Sequence, residues 1–283
     1  MNNLRLKQSL EHFLIEDIGD GDVTSDYLFE DGESEIEFLV KQPGIFCGGQ
    51  IITSGFQLLD PSVEVKLLKE DGAETAPGEI LAHVKGKQSS LLKGERVILN
   101  LIQRMSGIAT LTAKAVAILQ SKHTRICDTR KTTPGLRMFE KYAVRQGGGF
   151  NHRIGLYDAA MIKDNHIAFA GSITKAVERL RLKLGHMVKI EVETETEEQV
   201  KEAVEAGVDC IMFDNRGIDE INKFIELIPP HITTEASGGI TIEDLDDYRY
   251  CGVDYISLGY LTHSAASLDI SVSDCKNNRR NDK

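Results

Sequence analysis

The sequence predicts an α/β protein in which a small α+β region leads into about six parallel strands, enough to curl into a barrel that falls short of eight. Three observations predict it. Beyond residue 124, short apolar runs alternate with amphipathic helical segments, the rhythm of βαβ units. Strand-like runs punctuated by Pro-Gly and Asp-Gly fill residues 35–86. Polar and charged residues collect where each later strand runs out, the end at which α/β barrels place their chemistry.

Taken in order, Leu4, Leu6, Leu10, Phe13 and Leu14 form a helical apolar face. EIEFLVK, VEVKLLK and EILAHVKG read as strands, with the helical stretch GQIITSGFQLL after the first. SLLKGERVILNLIQRMSGIATLTAKAVAILQS reads as a long helix with a break expected at Ser106-Gly107. Six strands follow, TRICD, MIKD, KIEVET, DCIMFDN, HITTEAS and DYISLGY. The helices among them include ITKAVERLRLKLG, TEEQVKEAVEAG, GIDEINKFIELI and TIEDLDDYRYCG. The expected boundaries are an α+β domain at 1–107, a barrel at 108–266, and a C-terminal segment at 267–283 that packs back on the first domain and ends in a frayed tail, KNNRRNDK.

Composition narrows the function. A chain of 283 residues, 41% apolar and 27% charged, suits a folded soluble protein. Its net charge of -11 argues against a nucleic-acid surface, but a pocket is local and can still be cationic. The five cysteines are widely spread and odd in number, with no C-x-x-C pair, so reduced thiols in a cytoplasmic protein are expected. No signal peptide is evident, and no apolar run approaches the roughly 18 residues of a membrane span.

The strand ends carry Asp128-Thr129-Arg130-Lys131, Lys163-Asp164-Asn165, Glu191 with Glu193, Asp214-Asn215, Glu235 with Ser237-Gly238-Gly239, and Gly259. Arg130, Lys131, Arg153 and Lys163 gather positive charge there. A guanidinium matches a carboxylate with two parallel N–H bonds, while lysine acts as a point charge for phosphate. Arg137 and Arg145 fall on a helical segment and read equally well as surface residues. Gly147-Gly148-Gly149 reads as a helix stop. Ser237-Gly238-Gly239, between a strand and a helix, offers backbone N–H groups to a phosphate, and Gly259 completes the pattern in which the last two βα loops bind one. Glu193 and Asp214 end successive strands and suit magnesium held through water, or ribose hydroxyls.

GERVILNLIQRMSGIAT (94–110), DTRKTTPGLR (128–137), KYAVRQGGGFNHRIGLYDAAMIKDNHI (141–167), IEVE, MFDN, EASGGI and DYISLGYLTHS occur in one order. Together they resemble the quinolinate phosphoribosyltransferase family from about residue 11 to 271. The resemblance implies an open-faced α/β sandwich followed by an incomplete α/β barrel of six or seven strands. It also implies a homodimer in which one subunit's first domain covers the other's barrel mouth. The implied reaction joins quinolinate to phosphoribosyl pyrophosphate, with Mg2+, giving nicotinate mononucleotide, pyrophosphate and carbon dioxide. Carried over by motif, Arg130, His152, Arg153 and Lys163 would bind the quinolinate carboxylates, and Arg96 would reach in from a partner subunit. Lys131, Glu193, Asp214, Ser237, Gly238, Gly239, Gly259 and His263 would hold the phosphoribosyl donor and its metal, and Thr129 would be a further substrate contact. Lys131, Lys163, Glu193 and Asp214 make up the implied catalytic set; Glu193 is preferred to Glu191 on its spacing to Asp214. A related phosphoribosyltransferase-like protein with another anionic acceptor is the alternative. A Schiff-base aldolase fits less well, because Lys189 begins a strand and Lys163 sits among cations.

Overall fold

The computed structural model describes residues 1–29 and 32–275. It divides into two compact units. The first takes Met1–Leu111, Met138–Gly148 and the chain from Ala265 on; the second takes Thr112–Arg137 and Gly149–Ser264. No helix among the described residues is long and apolar enough to cross a membrane.

The first unit opens with α1 (Asn3–Ile18), whose first turn is capped by the Asn2 side chain accepting from the Leu4 and Arg5 N–H groups. Its buried stripe is Leu6, Leu10 and Leu14. After the short α2 (Ser25–Leu28), started by Asp22 accepting from the Thr24 and Ser25 N–H groups, the chain builds an antiparallel sheet. The elements in order are β1 (Glu33–Val40), β2 (Gly44–Ile45), α3 (Gly49–Leu59), β3 (Glu64–Leu67), β4 (Glu74–Thr75) and β5 (Ile80–Lys87). The strand Ile270–Asp274 pairs with β1, so the main sheet runs from that strand through β1 and β5 to β3. Ile36, Phe38 and Val40 of β1 alternate onto the covered face, where Phe38 meets the edge of Phe56 from α3 at 6.2 Å.

Helix α4 (Gln88–Leu119) runs unbroken for 32 residues, correcting the expected break at Ser106-Gly107. The two residues are small for a packing reason. Ser106 Oγ accepts from the Cys47 N–H at 2.9 Å and donates to the Cys47 carbonyl at 3.2 Å. A Cβ on Gly107 would lie 1.9 Å from the Ala266 carbonyl oxygen, so only glycine allows that approach. From Met138 on, α5 (Arg137–Gln146) also belongs to the first unit. Its fully buried Glu140 pairs with Arg104, and Tyr142 donates to Asp71 at 2.8 Å. The compact units therefore differ from a division by chain order, which leaves this helix with the barrel. Residues 276–283, most of the expected tail, lie outside the described residues.

In the second unit, β6 (Arg125–Cys127), β7 (Ala160–Ile162), β8 (Ile190–Thr194), β9 (Cys210–Asp214), β10 (Thr233–Ser237) and β11 (Tyr255–Ser257) form one parallel sheet. Its order is β6-β11-β10-β9-β8-β7. The first strand has closed onto the last, while β6 and β7 at the two edges do not pair with each other, so this is an incomplete α/β barrel with six strands among the described residues. Phe150 bridges Cys127 on the open side of β6. Helices α6 (Asp164–Ala170), α7 (Ile173–Arg181), α8 (Glu197–Glu205) and α9 (Ile218–Ile225) connect the strands. Ser172 and Thr196 cap α7 and α8, and pairs such as Val200 with Ala203 or Ile221 with Phe224 supply the buried faces. The expected helix TIEDLDDY forms as a 3₁₀ helix, Glu243–Tyr250. Asp244 draws the Thr241 N–H and hydroxyl onto its carboxylate, and an aspartate-rich turn competes with regular α hydrogen bonding. A last turn, α10 (Tyr260–His263), follows β11.

Candidate active site

All six barrel strands point the same way, so their C-terminal ends share one mouth. There a cavity of about 770 Å³ is lined by Thr129, Arg130, Lys131, His152, Arg153, Lys163, Glu193, Asp214, Ser237, Gly238, Gly239, Gly259 and His263. The sequence pointed to every one of these. Arg96, on α4 in the first unit, is not among the lining residues. Six further residues complete the wall: Met161, Met212, Asn215, Ile240, Ser257 and Tyr260. Of these, Met161, Met212 and Ser257 occupy inward positions of β7, β9 and β11, a signal readable only once the register is known.

Local structure aims the cations. Thr129 Oγ1 accepts from the Lys131 N–H at 3.0 Å, tightening the turn after β6, and the buried Thr262 donates to the Lys131 carbonyl at 2.7 Å. Thr262 escaped the sequence reading because a buried hydroxyl that grips backbone carries no motif of its own. The buried Asp128 accepts from the His152 N–H at 2.9 Å and from Asn151 Nδ2 at 2.6 Å. Asp158 gathers the Ile154 and Gly155 N–H groups, fixing the loop beyond Arg153. Arg153 Nη1 donates to the Ala159 carbonyl at 3.0 Å. At the start of α6, His166 Nδ1 accepts from the Lys163 N–H at 3.0 Å, while the Lys163 ammonium pairs with Glu193.

Two guanidiniums remain under-used. Arg130 Nε and Arg153 Nε are both buried with no hydrogen-bond partner among the described residues. Burial, and then the neighbouring Arg130 charge, hold Arg153 below the usual guanidinium range. Buried donors of this kind are costly unless something accepts from them. The geometry suits a ligand with carboxylates.

Glu191 and Glu193 lie two residues apart and face the same side of β8, yet sit at different depths. Glu193 lines the mouth. Glu191 sits lower and lies 2.9 Å from His152 Nε2. The Glu193 carboxyl is pushed up by burial, with Lys163 pulling it down and Asp214 and Glu191 adding to the rise. His152 Nδ1 accepts from the Arg153 N–H at 2.8 Å, so its proton sits on Nε2, facing Glu191. Both ring nitrogens are thus engaged by protein groups. His152, expected to meet a carboxylate, lines the mouth and also brackets Arg153.

Glycine is required at Gly238. Its φ is +89°, and a Cβ there would lie 2.4 Å from Asn215 Oδ1. The N–H groups of Gly238 and Gly239 donate to no carbonyl or side chain among the described residues, leaving two donors on the cavity wall.

The chain is similar to known proteins over nearly its whole length. Residues 22–106 match the N-terminal domain, and residues 108–273 the C-terminal domain, of the family described as quinolinate phosphoribosyl transferase. A Bacillus subtilis protein named probable nicotinate-nucleotide pyrophosphorylase [carboxylating] is 58% identical over 272 residues, 96% of this chain and 94% of that one. A Synechocystis protein of the same name is 44% identical over 95% of this chain and 92% of its own. Among solved structures, NadC from Streptococcus pyogenes superposes with a TM-score of 0.92 at 38% identity, covering 97% of this chain and 98% of that one. The nicotinate-nucleotide pyrophosphorylase from Francisella tularensis gives a TM-score of 0.90 at 35% identity, covering 97% of each. The chain belongs to the quinolinate phosphoribosyl transferase family.

Proposed function

We propose that the protein transfers the phosphoribosyl group of phosphoribosyl pyrophosphate to the nitrogen of quinolinate and decarboxylates the product, giving nicotinate mononucleotide, pyrophosphate and carbon dioxide for NAD biosynthesis. The observation that carries this reading is the pair of buried Nε donors on Arg130 and Arg153, which find no acceptor among the described residues inside a cationic mouth. A planar dicarboxylate supplies the missing acceptors. Lys163 adds a point charge, and His152 holds the Arg153 backbone in place. Lys131, Thr129, the free N–H groups at Gly238 and Gly239, Ser237, Gly259 and His263 face the phosphates of the donor.

Glu193 and Asp214 are hard oxygen donors close enough to influence one another electrostatically, a set that fits Mg2+ held through water. When bound, the ion neutralises charge on the departing pyrophosphate. As that bond lengthens, positive charge grows on the anomeric carbon, and the same two carboxylates stabilise it across the cavity. Ribosylation makes the ring a pyridinium, which accepts the electron pair released when the adjacent carboxylate leaves. Guanidiniums that held this carboxylate too firmly would oppose its loss, so Arg130 and Arg153 serve to orient and desolvate it.

The working form in this proposal is a cytoplasmic homodimer in which Arg96 of a second copy completes the mouth. Five cysteines outside any disulfide suit a reducing compartment. The test is a turnover assay with phosphoribosyl pyrophosphate and quinolinate, nicotinate or nicotinamide side by side. Donor consumption with carbon dioxide release for quinolinate alone is expected; equal use of nicotinate would overturn the assignment. Mixed Arg96→Ala and Arg153→Ala subunits should recover activity, because one composite site in the heterodimer is intact. No recovery from heterodimers shown to form would remove the shared site.

A further inference from the structure

A second cavity, about 220 Å³, lies inside the barrel below the mouth. Cys210, Thr233 and Tyr255, which open β9, β10 and β11, line it together with the exposed Lys189, so it reaches the surface at the N-terminal ends of the strands. His152 and Arg153 border both cavities. Two more residues join the levels. Glu235 lines the lower cavity from β10, and Ser257 lines the mouth from β11.

These two side chains are 4% and 3% exposed. Glu235 Oε1 and Ser257 Oγ each lack a well-formed hydrogen bond, although Ser257 lies near enough to favour the Glu235 carboxylate. A hydroxyl that can swing between a carboxyl and a cavity is arranged to pass a proton. Ser257 pairs in register with Cys127, three residues before Arg130, and Glu235 Oε1 is 3.7 Å from His152 Nε2. Ser257 thus lies on the strand beside the one that leads to Arg130, and Glu235 lies against His152, which borders both cavities with Arg153.

The cluster is not arranged for a metal. Nε2 of His152 carries the hydrogen, because Nδ1 accepts from the Arg153 N–H, and so offers no lone pair.

The proposed reaction needs one proton at this place. When carbon dioxide leaves, the C–C bonding pair stays on the ring carbon and must capture a proton. We infer that Ser257 and Glu235 form a relay that delivers this proton from the lower cavity to the ring carbon vacated by carbon dioxide. The Ser257 O–H gives its proton to carbon, the Ser257 oxygen takes one from Glu235, and water in the lower cavity reprotonates the Glu235 carboxylate. One solvent proton is consumed per turnover, and no electrons beyond the C–C pair move.

The surroundings of Glu235 suit a proton store. Burial, and then the nearby Glu191, push its carboxyl up to about 7, with His152 acting the other way and Asp128 adding to the rise. Cys210 faces it from β9 and Tyr255 pairs with it in register from β11. The carboxyl thus holds a proton in a large fraction of molecules at neutral pH.

This inference rests on the proposed function, and the experiment separates the two. Steady-state kinetics with quinolinate and phosphoribosyl pyrophosphate are compared for wild type, Glu235→Gln, Ser257→Val and Ser257→Thr, with melting curves confirming the fold. Valine and threonine are nearly isosteric, so they differ mainly in the hydroxyl. Glu235→Gln and Ser257→Val should each lower kcat on the order of a hundredfold, with KM for quinolinate within about twofold, and Ser257→Thr should restore most of kcat. A kcat loss below tenfold in either of the first two variants, or equal losses for Val and Thr, overturns the relay. Absence of turnover by wild type overturns the proposed function instead.

Discussion

The barrel carries charge at two levels, and the levels treat it differently. At the mouth, Arg130 and Arg153 keep donors that no group among the described residues uses. One layer down, Asp128 and Glu191 are almost wholly buried and committed to the protein, gripping the backbone N–H and Nε2 of His152. The difference teaches that a charge's partner, more than its burial, marks its task. Charges satisfied from within hold the frame; charges left unsatisfied await something from outside.

Substitutions at the two levels should therefore fail in different ways. Arg130→Ala is expected to lower kcat/KM for quinolinate on the order of a thousandfold, about 4 kcal/mol, as a buried charge-assisted pair with the substrate is lost. Its melting temperature should hold or rise, because Arg153 is relieved of a like charge. Near-normal kcat/KM would remove Arg130 from the carboxylate site, and a large fall in stability would erase the contrast between levels. Asp128→Ala should instead cost about 3 kcal/mol in denaturant unfolding, since the Asn151 and His152 donors lose their acceptor. If its stability matched wild type, the lower level would not be the frame.

Glu193→Gln tests the carboxylate that straddles the contrast. It pairs with Lys163 yet faces the cavity, so kcat should fall roughly ten- to a hundredfold with little change in melting. The smallest effect is expected from the pH dependence of stability at Glu235. The folded state holds its proton up to about pH 7, whereas the ordinary value is 4.5. Between those values the native state binds more protons than the unfolded chain, so wild type loses stability as pH rises and regains none above. Glutamine mimics the protonated acid. Glu235→Gln should match wild type near pH 4.5 and exceed it by about 1–2 kcal/mol at pH 8, as melts across pH would show. A variant weaker at pH 8 would show that the buried carboxylate is satisfied after all.

The six barrel strands, the mouth and most of its wall were legible in the chain, because parallel strands announce themselves as apolar runs and their ends as polar clusters. The rest came from contacts between distant segments. Ser106-Gly107 looked like a helix break until Cys47 and Ala266 supplied the reason for two small residues. Helix α5 left its neighbours in the chain because Glu140 and Tyr142 find their partners in the first unit. The separate depths of Glu191 and Glu193, the fixed tautomer of His152, and the placing of Ser257 over Glu235 depend on strand register and on contacts between residues far apart in the chain. A local pattern records which face a residue takes, but depth along a barrel exists only once neighbouring strands are aligned.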